Sequence, residues 1–245
     1  MRVSGLAPEQ SLPAWSKVLA VVAHPDDETF GLGGVIDAMA RGGAAVHILC
    51  FTHGEASTLN ETNADLHQTR IEELKQAGAE LGVASVTLLG YPDAGLAAVP
   101  AAELAQSVAA LIAEHQPDGL LVFDDNGITG HPDHQAATRA ATAAQAVTPA
   151  QAADPAQAVT PAQAADPALP VLAWALPTAV ADQLRSETGQ PFAGREPADI
   201  DLRVRVDRTT QRRAALMHAT QISPGAPLWR RLDLLGDHEH LRWLS

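Results

Sequence analysis

The chain has 245 residues, 46% of them apolar and 18% charged, which suits one α/β domain with a sizeable core and not a disordered chain. Acidic residues outnumber basic ones 29 to 16, and the net charge of −13 argues against nucleic acid or an anionic membrane as partner. The single cysteine, Cys50, permits no disulfide within the chain, no apolar stretch reaches bilayer length, and residues 1–15 lack the core of a signal peptide, so a cytoplasmic protein is expected.

Residues 18–23 form a continuous apolar run with β-branched members, the pattern of a central parallel strand. A polar cluster, Ala23-His24-Pro25-Asp26-Asp27-Glu28, follows it directly. Residues 31–41 read as a helix stopped by Gly42-Gly43, and 45–51 as a second strand that buries Cys50. Residues 64–81 have helical spacing, 86–89 read as a strand, and 100–115 as a helix with Pro in its first turn. A fourth strand, 120–123, leads to a second cluster, Gly130-His131-Pro132-Asp133-His134. Further on, 170–176 reads as a strand, and 201–206 alternates with period two as an edge strand does. Asp207 is placed to cap a helix over 208–221, and the last twenty residues read as a short helical tail.

Residues 145–156 are repeated without change at 157–168. Two short Ala/Pro-rich copies do not make a solenoid, so a surface insert at 145–168 within a single domain spanning 1–245 is expected. Strands alternating with helices predict an α/β fold with a doubly wound, mostly parallel sheet. Ligands of such sheets bind beyond the carboxyl ends of the strands, where both clusters fall.

The tripeptide His-Pro-Asp thus occurs twice, each copy after a predicted strand. His24 and Asp27 lie three apart in a tight turn and can aim a nitrogen and an oxygen at one point. His131 and His134 share a face if a helix starts near Pro132. His24, Asp27 and His134 make a two-His, one-carboxylate donor set suited to catalytic zinc and compatible with iron(II). A metal there lowers the pKa of a water and polarises a carbonyl. Asp26 is then available as a base. A protonated His131, oriented by Asp133, is available to stabilise an oxyanion or protonate a leaving amine. Spacing leaves open which aspartate binds metal and which is the base. Helix capping explains one carboxylate of the first cluster but not three in a row beside a histidine.

The two clusters together resemble those of the PIG-L/LmbE-like family of zinc-dependent deacetylases. Thr52-His53-Gly54-Glu55, the stretch from Arg70 to Val83, Tyr91-Pro92-Asp93 and His218-Ala219-Thr220-Gln221 extend the resemblance over most of the chain outside the duplicated insert. The resemblance implies a Rossmann-like fold and removal of the N-acetyl group from an N-acetylglucosamine conjugate, with a small-molecule amino sugar as partner and a homo-oligomer open. It implies zinc on His24, Asp27 and His134, Asp26 as general base, His131 as acid or oxyanion partner with Asp133 behind it, and Arg70 on the substrate side. Many members carry Tyr where this chain has Thr129, so a phenol that would reach the substrate carbonyl is missing.

Three rivals remain. Gly31-Leu32-Gly33-Gly34 after a strand suggests a dinucleotide-binding turn, but Ile36 occupies the third glycine's place and no acidic residue ends the second strand. A non-catalytic metal- or sugar-binding protein has no need of the spare carboxylate and histidine. Amidase action on a different thiol or sugar conjugate would use the same machinery.

Overall fold

The computed structural model describes residues 8–57, 59, 66–144, 168–223 and 225–244. The chain runs β1 (Lys17–Val22), α1 (Asp27–Phe30), α2 (Gly33–Arg41), β2 (Ala45–Thr52), α3 (Leu66–Leu81), β3 (Ser85–Tyr91), α4 (Ala101–His115), β4 (Gly119–Phe123), the kinked turn α5 (Gly127–Gly130) and α6 (Pro132–Ala144). After the duplicated segment come β5 (Val171–Trp174), α7 (Thr178–Thr188), β6 (Leu202–Arg205), α8 (Arg208–Met217), α9 (Pro227–Leu235) and β7 (His238–Leu244). Apart from Ala168 the two repeat copies lie outside the described residues.

One seven-stranded sheet has the order β3-β2-β1-β4-β5-β7-β6. The first five strands pair in parallel, and β7 pairs antiparallel with both β5 and β6. The doubly wound, mostly parallel architecture predicted from the strand and helix alternation is the one observed. Along β1, Val18, Ala20 and Val22 face one core with side chains of α2 and α3, while Leu19 and Val21 face the other with α4 and α6. Period-two alternation across a sheet covered on both faces is why the run is apolar throughout.

One expectation needs correction. The segment after Gly236 is strand β7, not part of a helical tail, and it lies inside the sheet. Its signal was hidden because Glu239 and His240 are buried in it. Glu239 is tolerated there because Trp174 Nε1 donates to its Oε2 at 2.7 Å, and Arg208 Nη1 donates to its Oε1. The helix expected over 31–41 is α2, and a separate four-residue turn, α1, precedes it, beginning inside the polar cluster at Asp27.

The glycines of Gly31-Leu32-Gly33-Gly34 serve close packing. A Cβ on Gly34 would sit 2.8 Å from Glu239 Oε1, and one on Gly33 would sit 2.8 Å from Gln211 Cγ. The Arg208–Glu239–Gln211 network fills the space a phosphate would need, which removes the physical basis of the dinucleotide reading. Among the described residues no helix is long and apolar enough to cross a membrane.

Candidate metal centre and substrate pocket

Strands β1 and β4 are neighbours, and the chain winds away from them in opposite directions, β1 toward β2 and β3, β4 toward β5. Ligands bind at such a switch point, beyond the carboxyl ends of the strands. The first His-Pro-Asp cluster leaves β1 there, and the second follows β4. Residues far apart in sequence meet around a cavity of about 470 Å³.

His24, Asp27 and His134 present ligand atoms within 4.8 Å of one another. His134 Nδ1 faces the Gly127 carbonyl oxygen at 3.1 Å, which fixes the proton on Nδ1 and leaves the Nε2 lone pair free. That Nε2 lies 3.1 Å from Asp27 Oδ1. The other oxygen, Asp27 Oδ2, accepts from the backbone amides of Ala23 at 3.1 Å and His24 at 2.9 Å. Asp27 is therefore a pinned carboxylate with one oxygen turned to the histidines. His24 Nδ1 is 3.5 Å from Asp27 Oδ2, and its Nε2 points to Asp93 Oδ1 at 3.1 Å and Asp133 Oδ2 at 3.4 Å. Burial alone would lower the His24 imidazole, but hydrogen bonds with Asp133, Asp27 and Asp93 outweigh it and hold it well above its usual value. Two imidazoles and a carboxylate, oriented by backbone and carboxylate partners, fit a divalent ion of the zinc or iron(II) type.

Asp26 occupies a backbone conformation rare for a residue with a Cβ, φ 120° and ψ −27°. The turn is held from three sides. The Asp26 amide donates to Glu28 Oε2 at 2.9 Å, while Glu28 Oε1 meets His218 Nε2 at 2.5 Å. Arg70 Nη2 donates to Asp26 Oδ2 at 3.2 Å and to the Pro25 carbonyl oxygen, and Nη1 donates to that of Gly54. Gly54 has φ 68°, and a Cβ there would collide with the guanidinium, so only glycine admits this arginine. Burial pushes the Asp26 carboxyl up to about 6, opposed by Arg70 and reinforced by Asp27.

His131 precedes α6 and stacks on His134, with ring centroids 4.7 Å apart. Its Nδ1 accepts from the Asp133 backbone amide at 3.2 Å, so in the neutral ring the proton sits on Nε2. Burial and the neighbouring His134 and His24 hold its pKa below the usual value. The Asp133 carboxylate was expected behind His131. It accepts instead from the Leu96 amide at 3.1 Å and faces His24, so the main chain and not the side chain of Asp133 sets the His131 tautomer. Buried in the first turn of α6, this carboxylate is satisfied by the nearest free amide. Arg70, read as a substrate-side arginine, lines the cavity, but its hydrogen bonds among the described residues go to the protein.

Four features of the site were not found from sequence. Asp93 lies in the loop after β3, two residues past the strand, and touches His24. Its signal was a carboxylate just past a strand at the same sheet edge. Phe123 packs its ring 4.9 Å from that of His134. Phe192 and Gln190 line the wall, held by Arg185, which donates to the Phe192 carbonyl oxygen, and by the Ala193 amide, which donates to that of Ile128 at 2.6 Å, while Arg195 further on is held by Asp124 at 2.6 Å. Arg231 enters the wall from α9.

Residues 19–145 match the GlcNAc-PI de-N-acetylase family, PIG-L. The chain belongs to this family. A 1D-myo-inositol 2-acetamido-2-deoxy-alpha-D-glucopyranoside deacetylase from Mycolicibacterium vanbaalenii is 38% identical over 157 residues, 54% of this chain and 55% of that protein. Its namesake from Nakamurella multipartita is 31% identical over 258 residues, covering 84% of this chain and 80% of that protein. The chain spans about half the length of several curated relatives it matches. Among solved structures, N,N'-diacetylchitobiose deacetylase from Pyrococcus horikoshii superposes with a TM-score of 0.71 at 19% identity, covering 94% of this chain and 84% of that one. A 4-carboxy-2-hydroxymuconate hydratase from Pseudomonas putida reaches 0.66, also at 19% identity, over 94% and 96%. The shared fold alone therefore does not select a reaction.

Proposed function

We propose that this protein is a zinc-dependent deacetylase that hydrolyses the N-acetyl group of an N-acetylglucosamine-type conjugate, acting in the cytoplasm on a small-molecule substrate. The observation that carries the reading is the meeting of both His-Pro-Asp clusters in one cavity, with a carboxylate and an imidazole left over beside the triad. The names of the curated relatives support the substrate class.

His24, Asp27 and His134 would hold the ion, with iron(II) a compatible occupant. When bound, it supplies Lewis acidity that activates water and polarises the amide carbonyl. Asp26, near pH 6 in its titration, accepts the water proton at neutral pH. Arg70 and Glu28 keep it aimed by holding the strained turn. His131 Nε2–H donates to the developing oxyanion, and the imidazole is the group placed to move a proton to the leaving nitrogen. Asp133 positions His131 through its backbone amide and His24 through its carboxylate. Thr129 lines the cavity beside His131 without a phenol, so the carbonyl oxygen depends more heavily on His131.

A panel of N-acetylglucosaminides differing in aglycone, incubated with zinc-loaded protein and assayed for acetate and free amine, tests the proposal. Release of acetate from at least one supports it. Release from none, with the metal site filled, sinks the deacetylase reading and favours amidase action on another conjugate or pure binding.

A further inference from the structure

Arg231 is a charged residue of the cavity wall that the scheme above leaves unused. It is nine-tenths buried and lines the cavity beside Phe30, Pro227 and Leu228. Among the described residues its guanidinium makes one hydrogen bond, from Nη2 to the Phe30 carbonyl oxygen. Its Cζ lies over the Trp174 ring, 5.2 Å from the centroid, and its Nε is buried without an acceptor.

A plainer role is a cap. Phe30 ends α1, and a cation suits a helix C-terminus. That role uses one of five N–H groups. A second plain role is countercharge, first to Glu239 and then to Asp27 and Asp26. Glu239 already accepts from Trp174 and Arg208. Asp26 and Asp27 already have partners in Arg70, two backbone amides and His134. Nη1 has no protein acceptor among the described residues, and an anion in the cavity would supply one to a guanidinium already largely removed from water.

The place of Arg231 suggests which anion. Asp27 begins α1 and Phe30 ends it, so the arginine is tied to the short helix that carries the triad carboxylate, and both line the same cavity. Amide hydrolysis would create a carboxylate in that cavity: water adds its oxygen to the acyl carbon, the C–N bond breaks, the nitrogen leaves as an ammonium group, and a carboxylate remains. Asp26, Asp27 and Asp93 line the same cavity and repel it. Of the two arginines among the described lining residues, Arg70 is committed to Pro25, Gly54 and Asp26, which leaves Arg231. Phe30 and Leu228 beside it give a small alkyl group an apolar surface.

We propose that Arg231 is a carboxylate-binding residue of this cavity, taking the acetate freed by hydrolysis. The proposal rests on the deacetylase reading for the source of the anion, and an acidic substituent on the sugar would present the same chemistry. A guanidinium binds a carboxylate through a fork that a lysine does not reproduce.

The test is acetate binding, followed by NMR titration of labelled acetate into zinc-loaded and metal-free protein, for wild type, Arg231→Met and Arg231→Lys. At least a tenfold weaker affinity in Arg231→Met and an intermediate loss in Arg231→Lys are expected. A parallel arm compares N-acetylglucosamine with N-acetylmuramic acid, which adds a carboxylate. If only the preference between these sugars changes in the variants, the carboxylate read is the substituent's and the assignment to acetate is overturned. Unchanged affinity in folded Arg231→Met, or no measurable acetate binding by wild type, overturns the proposal. If Arg231→Met fails to fold, unchanged affinity in Arg231→Lys does the same. Because binding needs no turnover, acetate release with unchanged acetate binding sinks this site alone. Absence of release from every sugar, with binding lost in the variants, sinks the deacetylase reading alone.

Discussion

Asp26→Asn is expected to make the protein more stable and nearly inactive. The carboxyl is held in a strained, largely buried turn that lifts its pKa from 3.8 to about 6. Below pH about 4 it is protonated in the folded and unfolded chains alike. Between pH about 4 and about 6 the unfolded chain releases its proton while the folded chain keeps it, so the wild-type fold loses stability, and above pH about 6 the loss is complete. At about 1.36 kcal/mol per pH unit this amounts to about 3 kcal/mol at neutral pH, or about 6–12 °C in Tm for a domain of this size. Asparagine cannot ionise and keeps an oxygen for Arg70. Urea unfolding of metal-free wild type and variant should therefore agree at pH 4 and differ by about 3 kcal/mol in the variant's favour at pH 7. The same variant, zinc-loaded, should lose about 10²- to 10⁴-fold in kcat. A variant no more stable than wild type at pH 7, or one with a tenth or more of the activity, would refute the reasoning.

Other substitutions probe the remaining parts. His134→Ala should lose the bound metal, read as zinc per chain by elemental analysis, whereas Asp26→Asn should keep it. Glu239→Ala leaves Arg208 buried without its counter-ion and Trp174 Nε1 without its acceptor, and should cost about 3–5 kcal/mol in urea unfolding. Gly34→Ala gains about 1 kcal/mol of helix propensity but drives a methyl to 2.8 Å from Glu239 Oε1, so a net lower Tm is expected; a higher one would mean the network yields easily. Asp124→Ala removes the buried partner that Arg195 and Arg242 share, leaves them only the exposed Asp125, and loosens the segment that leads from Phe192 to Arg195; a KM raised about tenfold, with a smaller change in kcat, is expected from steady-state kinetics.

Where the structure agreed with the sequence, one physical signal was enough. Strands β1, β2 and β4 are buried on both faces, so their residues are apolar in succession. Both polar clusters stand out because they interrupt such runs at the carboxyl end. The site's other members gave no such signal. Asp93 matters only because the loop after β3 brings it to His24, and Arg231 and Arg195 come from elements beyond the duplicated segment. Strand β7 buries Glu239 and His240, and the cost of burying Glu239 is offset by partners in β5 and α8 that no local pattern reveals. The Asp133 carboxylate was assigned to the wrong histidine because spacing cannot say which way a helix-start side chain turns.

The position of β7 also bears on synthesis. It is inserted between β5 and β6, so until residues 238–244 have left the ribosome β5 keeps an unpaired edge and Trp174 lacks its acceptor. The strands that flank the triad, β1 and β4, can pair long before that. The nascent chain would thus expose a β5 edge beside strands already paired, a state open to strand exchange between unfinished chains.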